Sequence, residues 1–142
     1  LIDCMTQAVQ IADEHNVTLA FEPEVSNVVD SARKARRLLD EVASPRLKVV
    51  MDAANIFHTG ELPKMREILD EAFQLLGEDI SFAHAKDLDH DGEAGHLAAG
   101  TGLLDYQQYL SLLNEFVPNV PLILHGLSEQ QVAGCVSFLQ GE

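Results

Sequence analysis

The chain is poor in basic residues, in cysteine and in long apolar runs, and each scarcity excludes something. Nine Lys and Arg stand against 23 Asp and Glu in 142 residues, a formal net charge of −14. A surface of that sign repels a phosphate backbone, so nucleic acid is not an expected partner. The same charge attracts cations, and it also serves solubility alone. Two cysteines, Cys4 and Cys135, lie far apart on helix-like stretches. Nothing requires them to pair, and a reducing, cytoplasmic setting is the simpler expectation. No apolar run approaches membrane-spanning length, so no membrane partner is expected. The opening, LIDCMTQ, has neither an initiator Met nor a signal-peptide pattern, which suggests an excerpt of a longer protein or a processed one. No low-complexity segment interrupts the chain.

What is present is ordinary for one globular domain: 46% hydrophobic and 23% charged residues. Four short apolar runs stand out, VTLAF (17–21), LKVVM (47–51), ISFAHA (80–85) and VPLIL (120–124). They are continuous rather than alternating, as parallel strands covered by helices are. Between them the apolar residues fall at helical spacing, which predicts helices over 3–15, 28–42, 63–76, 105–116 and 129–139. Pro63 sits in the first turn of the third, with Gly77 as its stop, and Ser128 to Gln131 reads as a capping box for the last. The alternation of helix and strand predicts an α/β fold with a parallel sheet and right-handed crossovers.

The chemistry-bearing residues follow the runs. VTLAF is followed by Glu22 and LKVVM by Asp52; the third run carries His84 near its end, and VPLIL is followed by His125. In parallel α/β folds ligands bind at the C-terminal edge of the strands. Two carboxylates and two imidazoles delivered there make a plausible set for a divalent transition metal. Taken singly, each has a plainer explanation: a solvated strand-end carboxylate, a loop cap, a histidine satisfied in the core. The repeated placement on four strands favours the shared site. No HExxH spacing supports it.

The stretch HAKDLDHDGEAGH (84–96) opens, from Asp87, like a calcium loop, with Asp87, Asp89 and Asp91 alternating before Gly92. An EF-hand loop needs a bidentate Glu at its twelfth position. Here that position is Ala98, and a strand rather than a helix precedes the loop. The segment 86–103 is the longest irregular piece, and long loops in compact domains are usually functional.

The ordered motifs FEPE, VVMDAAN-x-x-HTGELP, FAHAKDLDHDGE, GTGLLDY and PLILHGLSE resemble the xylose isomerase-like TIM-barrel superfamily. The resemblance implies that residues 1–142 are the C-terminal half of such a barrel, its strands five to eight, without the N-terminal half. It implies a divalent-metal-dependent sugar or sugar-phosphate isomerase or epimerase working by proton transfer next to a carbonyl, with Mn, Mg, Co or Zn as the metal. Glu22, Asp52 and His84 match metal ligands of the family, Glu22 also its acid/base residue. Lys86 and Asp87 match its H-x-K-D pattern, and His96 precedes its G-x-G turn where relatives contact substrate. Two departures stand out. Asn55, with His58 beyond it, replaces the usual histidine three residues after the strand-six aspartate, and His125 replaces the usual strand-eight glutamate. His125 is then a fourth ligand or the second proton-transfer group, and Asn55, His58, Lys86, Asp87 and His96 are expected to line the substrate. The swap at His125 also leaves an inosose dehydratase-type reaction open. Asn55, Ala94 and the negative charge disfavour an endonuclease IV-type reaction. A non-catalytic half-barrel that assembles with another copy or with the missing half is the alternative. A complete flavodoxin-like domain ranks below these, since no phosphate loop is present.

Overall fold

The computed structural model describes residues 1–141. Helices and strands alternate as the apolar pattern requires: α1 (Ile2–Glu14), β1 (Leu19–Phe21), α2 (Ala32–Val42), β2 (Leu47–Asp52), α3 (Met65–Leu76), β3 (Ile80–Asp87), β4 (Leu97–Ala98), α4 (Tyr106–Phe116), β5 (Leu122–Leu124) and α5 (Val132–Gln140). β1, β2, β3 and β5 run parallel in that spatial order, and β4 pairs antiparallel with the end of β3. Neighbours in sequence are thus neighbours in space. A doubly wound flavodoxin-like sheet reverses its strand order at a switch point, and the absence of that reversal among the described residues sets this fold apart from it. An arc of sequential parallel strands is the geometry of a (β/α) barrel wall.

The pleat separates two faces. Val49, Met51, Ala83 and Ala85 are essentially inaccessible and share one core with Leu38 and Leu39 of α2, Leu69, Ala72 and Phe73 of α3, and Tyr109 and Leu113 of α4. Each large apolar side chain buried there stabilises the fold by about 1.5–3 kcal/mol relative to exposure. The alternate residues face the other way, where a barrel has its interior. There Phe82 and His84 are half-buried and Ile123 is 46% exposed. The Tyr109 hydroxyl lies 3.0 Å from the carbonyls of both Met51 and His84, tying α4 to β2 and β3 just below their polar ends.

Several boundaries differ from the sequence expectation. The helix expected over 28–42 starts at Ala32. Val29 is instead buried in the preceding turn, where its carbonyl accepts from the Glu24 N–H (3.0 Å), and Val28 is exposed. Pro63 lies in a short 3₁₀ turn, Leu62–Lys64, ahead of α3, and Gly77 opens another (φ −49°) rather than ending the helix in the left-handed region. β3 runs two residues beyond the apolar run because β4 supplies partners, Lys86 opposite Ala98 and Asp87 opposite Leu97. The capping box at Ser128 forms, its N–H donating to Gln131 Oε1 at 2.9 Å.

Candidate metal centre at the strand ends

Register brings the polar ends together. Asp52 is directly opposite His84, and His84 is opposite Ile123, two residues before His125. Asp52 Oδ1 accepts from the Ala54 N–H at 3.0 Å and so caps the turn Ala53–Asn55 that ends β2. Its other oxygen, Oδ2, is left to face the site. It lies 3.4 Å from His84 Nδ1 and 3.0 Å from Lys86 Nζ. His84 Nδ1 is also 3.5 Å from Glu22 Oε2. The His125 ring stacks on the His84 ring, centroids 4.8 Å apart and planes within 18°. One ligating atom from each of Asp52, His84 and His125 lies within 4.8 Å of the others.

Two of these atoms, Asp52 Oδ2 and His84 Nδ1, are buried without an aligned hydrogen-bond partner. Orphaned buried polar atoms are rare in folded proteins and call for an explanation such as an ion. Carboxylate oxygen and imidazole nitrogen together form the donor set a divalent cation accepts. The residues therefore fit a metal: Asp52, His84 and His125 would hold it, with Glu22 beside His84.

The electrostatics follow from the crowding. Burial, then the neighbouring Asp52, raises the Glu22 pKa above its ordinary value, while His84, Lys86 and Asn55 oppose the shift. His84 is raised as well, first by its contact with Asp52 and further by the charges of Glu22 and Asp52, against burial and Lys86. Glu22 and His84, adjacent and both raised, each influence the other's protonation.

The residues expected to touch substrate divide in the structure. Asn55 is buried, donates through Nδ2 to Glu22 Oε1, and accepts the Gly95 N–H on Oδ1 at 3.0 Å. It thereby fixes the Glu22 carboxylate and ties the β3–β4 loop to it. Lys86 is 4% exposed, with its ammonium on Asp52 and its stem under Gly126. Its observed contact is thus with a candidate ligand.

Asp87 corrects the expectation. It is 1% exposed, and both oxygens are spent on backbone donors. Oδ1 accepts from the Leu88 and Leu104 N–H groups (both 2.9 Å), Oδ2 from those of Gly100 (3.1 Å) and Gly102 (2.9 Å). The G-x-G turn makes this possible: Gly100 has φ +81°, and a Cβ on Gly102 would sit 2.7 Å from Asp87 Cγ. Asp87 folds the loop and offers no free atom to a ligand.

His58 also stands apart, half-exposed beside Asp30 in a hollow lined by Arg33, Ile56 and Glu71. His96 is exposed near Asp89 and His90 rather than at the strand ends. An open hollow lined by Pro63, Arg66, Leu103 and Asp105 includes none of the four strand-end residues.

Comparison with known proteins agrees with this architecture. The chain matches the family described as xylose isomerase-like TIM barrel over residues 1–130. No curated protein matches its sequence. Among solved structures it is similar to a xylose isomerase domain protein from Planctomyces limnophilus, with a TM-score of 0.79 at 20% identity, over 99% of this chain and 50% of that one. It is also similar to a D-tagatose 3-epimerase-like protein (TM-score 0.78, 13% identity, 99% and 52% covered) and to the IOLI protein with a bound zinc atom (TM-score 0.74, 20% identity, 97% and 54% covered). The chain spans about half the length of these structures. No helix among the described residues is long and apolar enough to cross a membrane. With 130 of its residues matched and its sequential parallel strands superimposing on half-barrels, the chain belongs to the xylose isomerase-like TIM-barrel family.

Proposed function

We propose that this chain carries the metal-binding half of a sugar isomerase or epimerase that moves a proton at the carbon next to a carbonyl. The observation that carries the reading is the pair of buried atoms Asp52 Oδ2 and His84 Nδ1, 3.4 Å apart at adjacent strand ends, which lack an aligned hydrogen bond and have only the charges of Lys86 and Glu22 beside them. The zinc in the IOLI structure and the epimerase-like neighbour support it. A divalent ion, when bound, polarises a carbonyl and stabilises the negative charge that develops beside it. The chain's own residues do the rest. Asn55 holds one Glu22 oxygen and leaves Oε2 to take the carbon-bound proton. Lys86 anchors the Asp52 carboxylate and offsets part of the local negative charge. His125, exposed and stacked on His84, is placed either to complete the donor set or to return the proton.

The test is metal affinity. Titration of chelator-stripped protein with Mn²⁺, Co²⁺ and Zn²⁺ is expected to show binding that a His84→Ala variant weakens by more than tenfold, the scale on which even outer-shell changes act. Unchanged binding in that variant sinks the reading.

We further propose that this half-barrel works joined to a second half, in the same polypeptide or in another chain. β1 and β5 end the parallel sheet with single neighbours, and such edges are normally paired or covered. Ile123 on the inner face is 46% exposed, as befits a barrel interior with half its wall. Light scattering on the 142-residue chain alone is expected to give a dimer or larger species. A well-folded monomer would contradict the need for a partner half.

A further inference from the structure

A second group of donors lies on the loop between β3 and β4. Asp89, His90 and His96 are all exposed, and one ligating atom from each lies within 4.8 Å of the others. Asp89 Oδ1 is 2.5 Å from His90 Nδ1 and 3.8 Å from His96 Nε2, and Glu93 Oε2 is 3.7 Å from His90 Nε2. We propose that Asp89, His90 and His96, with Glu93 beside them, form a second binding site for a divalent transition metal of the zinc, nickel or copper kind.

Three observations carry this beyond an acidic surface. The first is distance. Donors that share an ion at about 2.0–2.2 Å stand roughly 3–4 Å from one another, so this group, within 4.8 Å, needs to close by about one to two ångströms at most. The second is the donor type. Two imidazoles and carboxylate suit zinc, nickel or copper rather than calcium or magnesium. His90 has a carboxylate near each ring nitrogen, Asp89 at 2.5 Å and Glu93 at 3.7 Å, so one nitrogen can face the ion while a carboxylate orients the other. Metal-binding histidines are commonly oriented that way.

The third is preorganisation. Asp91 Oδ2 accepts from the Gly60 and Leu62 N–H groups at 2.9 Å each, the Gly92 N–H donates to the Phe57 carbonyl at 2.9 Å, and the Gly95 N–H donates to the Ala54 carbonyl at 3.0 Å as well as to Asn55. His90 and His96 are each next to one of these pinned residues, so little chain entropy remains to be lost on binding. The Asn55 that holds Gly95 also holds Glu22, so an ion here would clamp the loop next to the strand-end site.

The experiment counts zinc equivalents by isothermal titration of chelator-stripped protein. In a His84→Ala/His125→Ala variant, which lacks the two strand-end imidazoles, one equivalent per chain is expected to remain. Adding His90→Ala and His96→Ala is expected to abolish it. No zinc binding in the first variant, or binding unaffected by the second pair of changes, overturns the proposal. If the first variant does not fold, His90→Ala/His96→Ala in the otherwise unchanged chain serves instead. It alters only exposed residues and is expected to lose one equivalent; an undiminished count overturns the proposal. Because the strand-end and loop variants are separate, failure of this site leaves the strand-end reading untouched, and the reverse.

Discussion

Asp87→Ala is expected to lower the folding stability by about 3–5 kcal/mol, a large share of what a domain of this size possesses. The side chain accepts four backbone hydrogen bonds, from Leu88, Gly100, Gly102 and Leu104. The Leu88 and Leu104 bonds are buried and those of Gly100 and Gly102 part-buried. A buried donor left without a partner costs about 1–3 kcal/mol, so the two buried groups alone reach the lower end of the range. Asp87→Asn should recover only part of the loss, because its amide nitrogen would face two N–H donors where an acceptor is needed. Urea unfolding gives the stability, and amide exchange at Gly100, Gly102 and Leu104 shows whether the loop opens locally. Were Asp87 a substrate contact instead, the alanine variant would stay stable, its amides would stay protected, and only the binding of sugar would suffer.

That example marks the limit of what the residue order discloses. The strands, their parallel direction and their polar ends were legible because each rests on a local pattern: an apolar run, a helical spacing between runs, and Glu22, Asp52, His84 and His125 where the runs stop. Which way a polar atom points is not local. Asp87 stands in the motif beside Lys86 as though both faced a ligand. Its oxygens are nevertheless taken by a chain segment 13 to 17 residues later that folds back as β4 and the G-x-G turn. β4 itself is two residues, too short for any periodicity to announce. Asn55 read as a departure from a ligand pattern. Only the close approach of β1 and the 84–96 loop shows it gripping Glu22 on one side and Gly95 on the other. His58, three residues further, is carried outward by the turn and meets Asp30 instead.

The geometry also separates two roles within one residue type. Asp52 and Asp87 are equally buried. Asp87 has its lone pairs filled by backbone. Asp52 keeps only one oxygen on its own turn and leaves the other among His84 and Lys86. A buried carboxylate that folds a loop gains from being satisfied; one that meets a ligand has to retain an unfilled acceptor. The two aspartates therefore differ in their hydrogen-bond inventory, which residue identity alone does not reveal.

Glu22→Gln puts the chemical reading to its hardest test, because it should move activity and stability in opposite directions. In the complete barrel the variant is expected to lose about 10²–10⁴-fold in turnover, the usual contribution of a positioned general base. The amide is nearly the same size and can still meet Asn55, so misfolding would not explain the loss. The metal-free chain should meanwhile become more stable at alkaline pH. Burial and Asp52 raise the Glu22 pKa on folding, so its favourable contribution is fully present below the ordinary value of 4.5 and is lost as pH rises through the folded value. His84 is raised too, chiefly by Asp52 and also by Glu22, so its contribution is full below 6.5 and fades as pH rises through its own folded value. While His84 is protonated, its charge offsets part of the strain of an ionised Glu22. Above both, nothing but Lys86 and Asn55 opposes a half-buried carboxylate beside Asp52. The stability gap in favour of Glu22→Gln should therefore be near zero below pH 4.5 and widen as pH rises through the folded values of both groups, measured by thermal unfolding of chelator-treated protein. Saturating metal should reverse its sign, since a ligand stabilises the state that binds it better. A variant that is less stable than the parent at pH 8 without metal would show that Glu22 is held by favourable contacts, and one that keeps full turnover would remove Glu22 from the proton transfer.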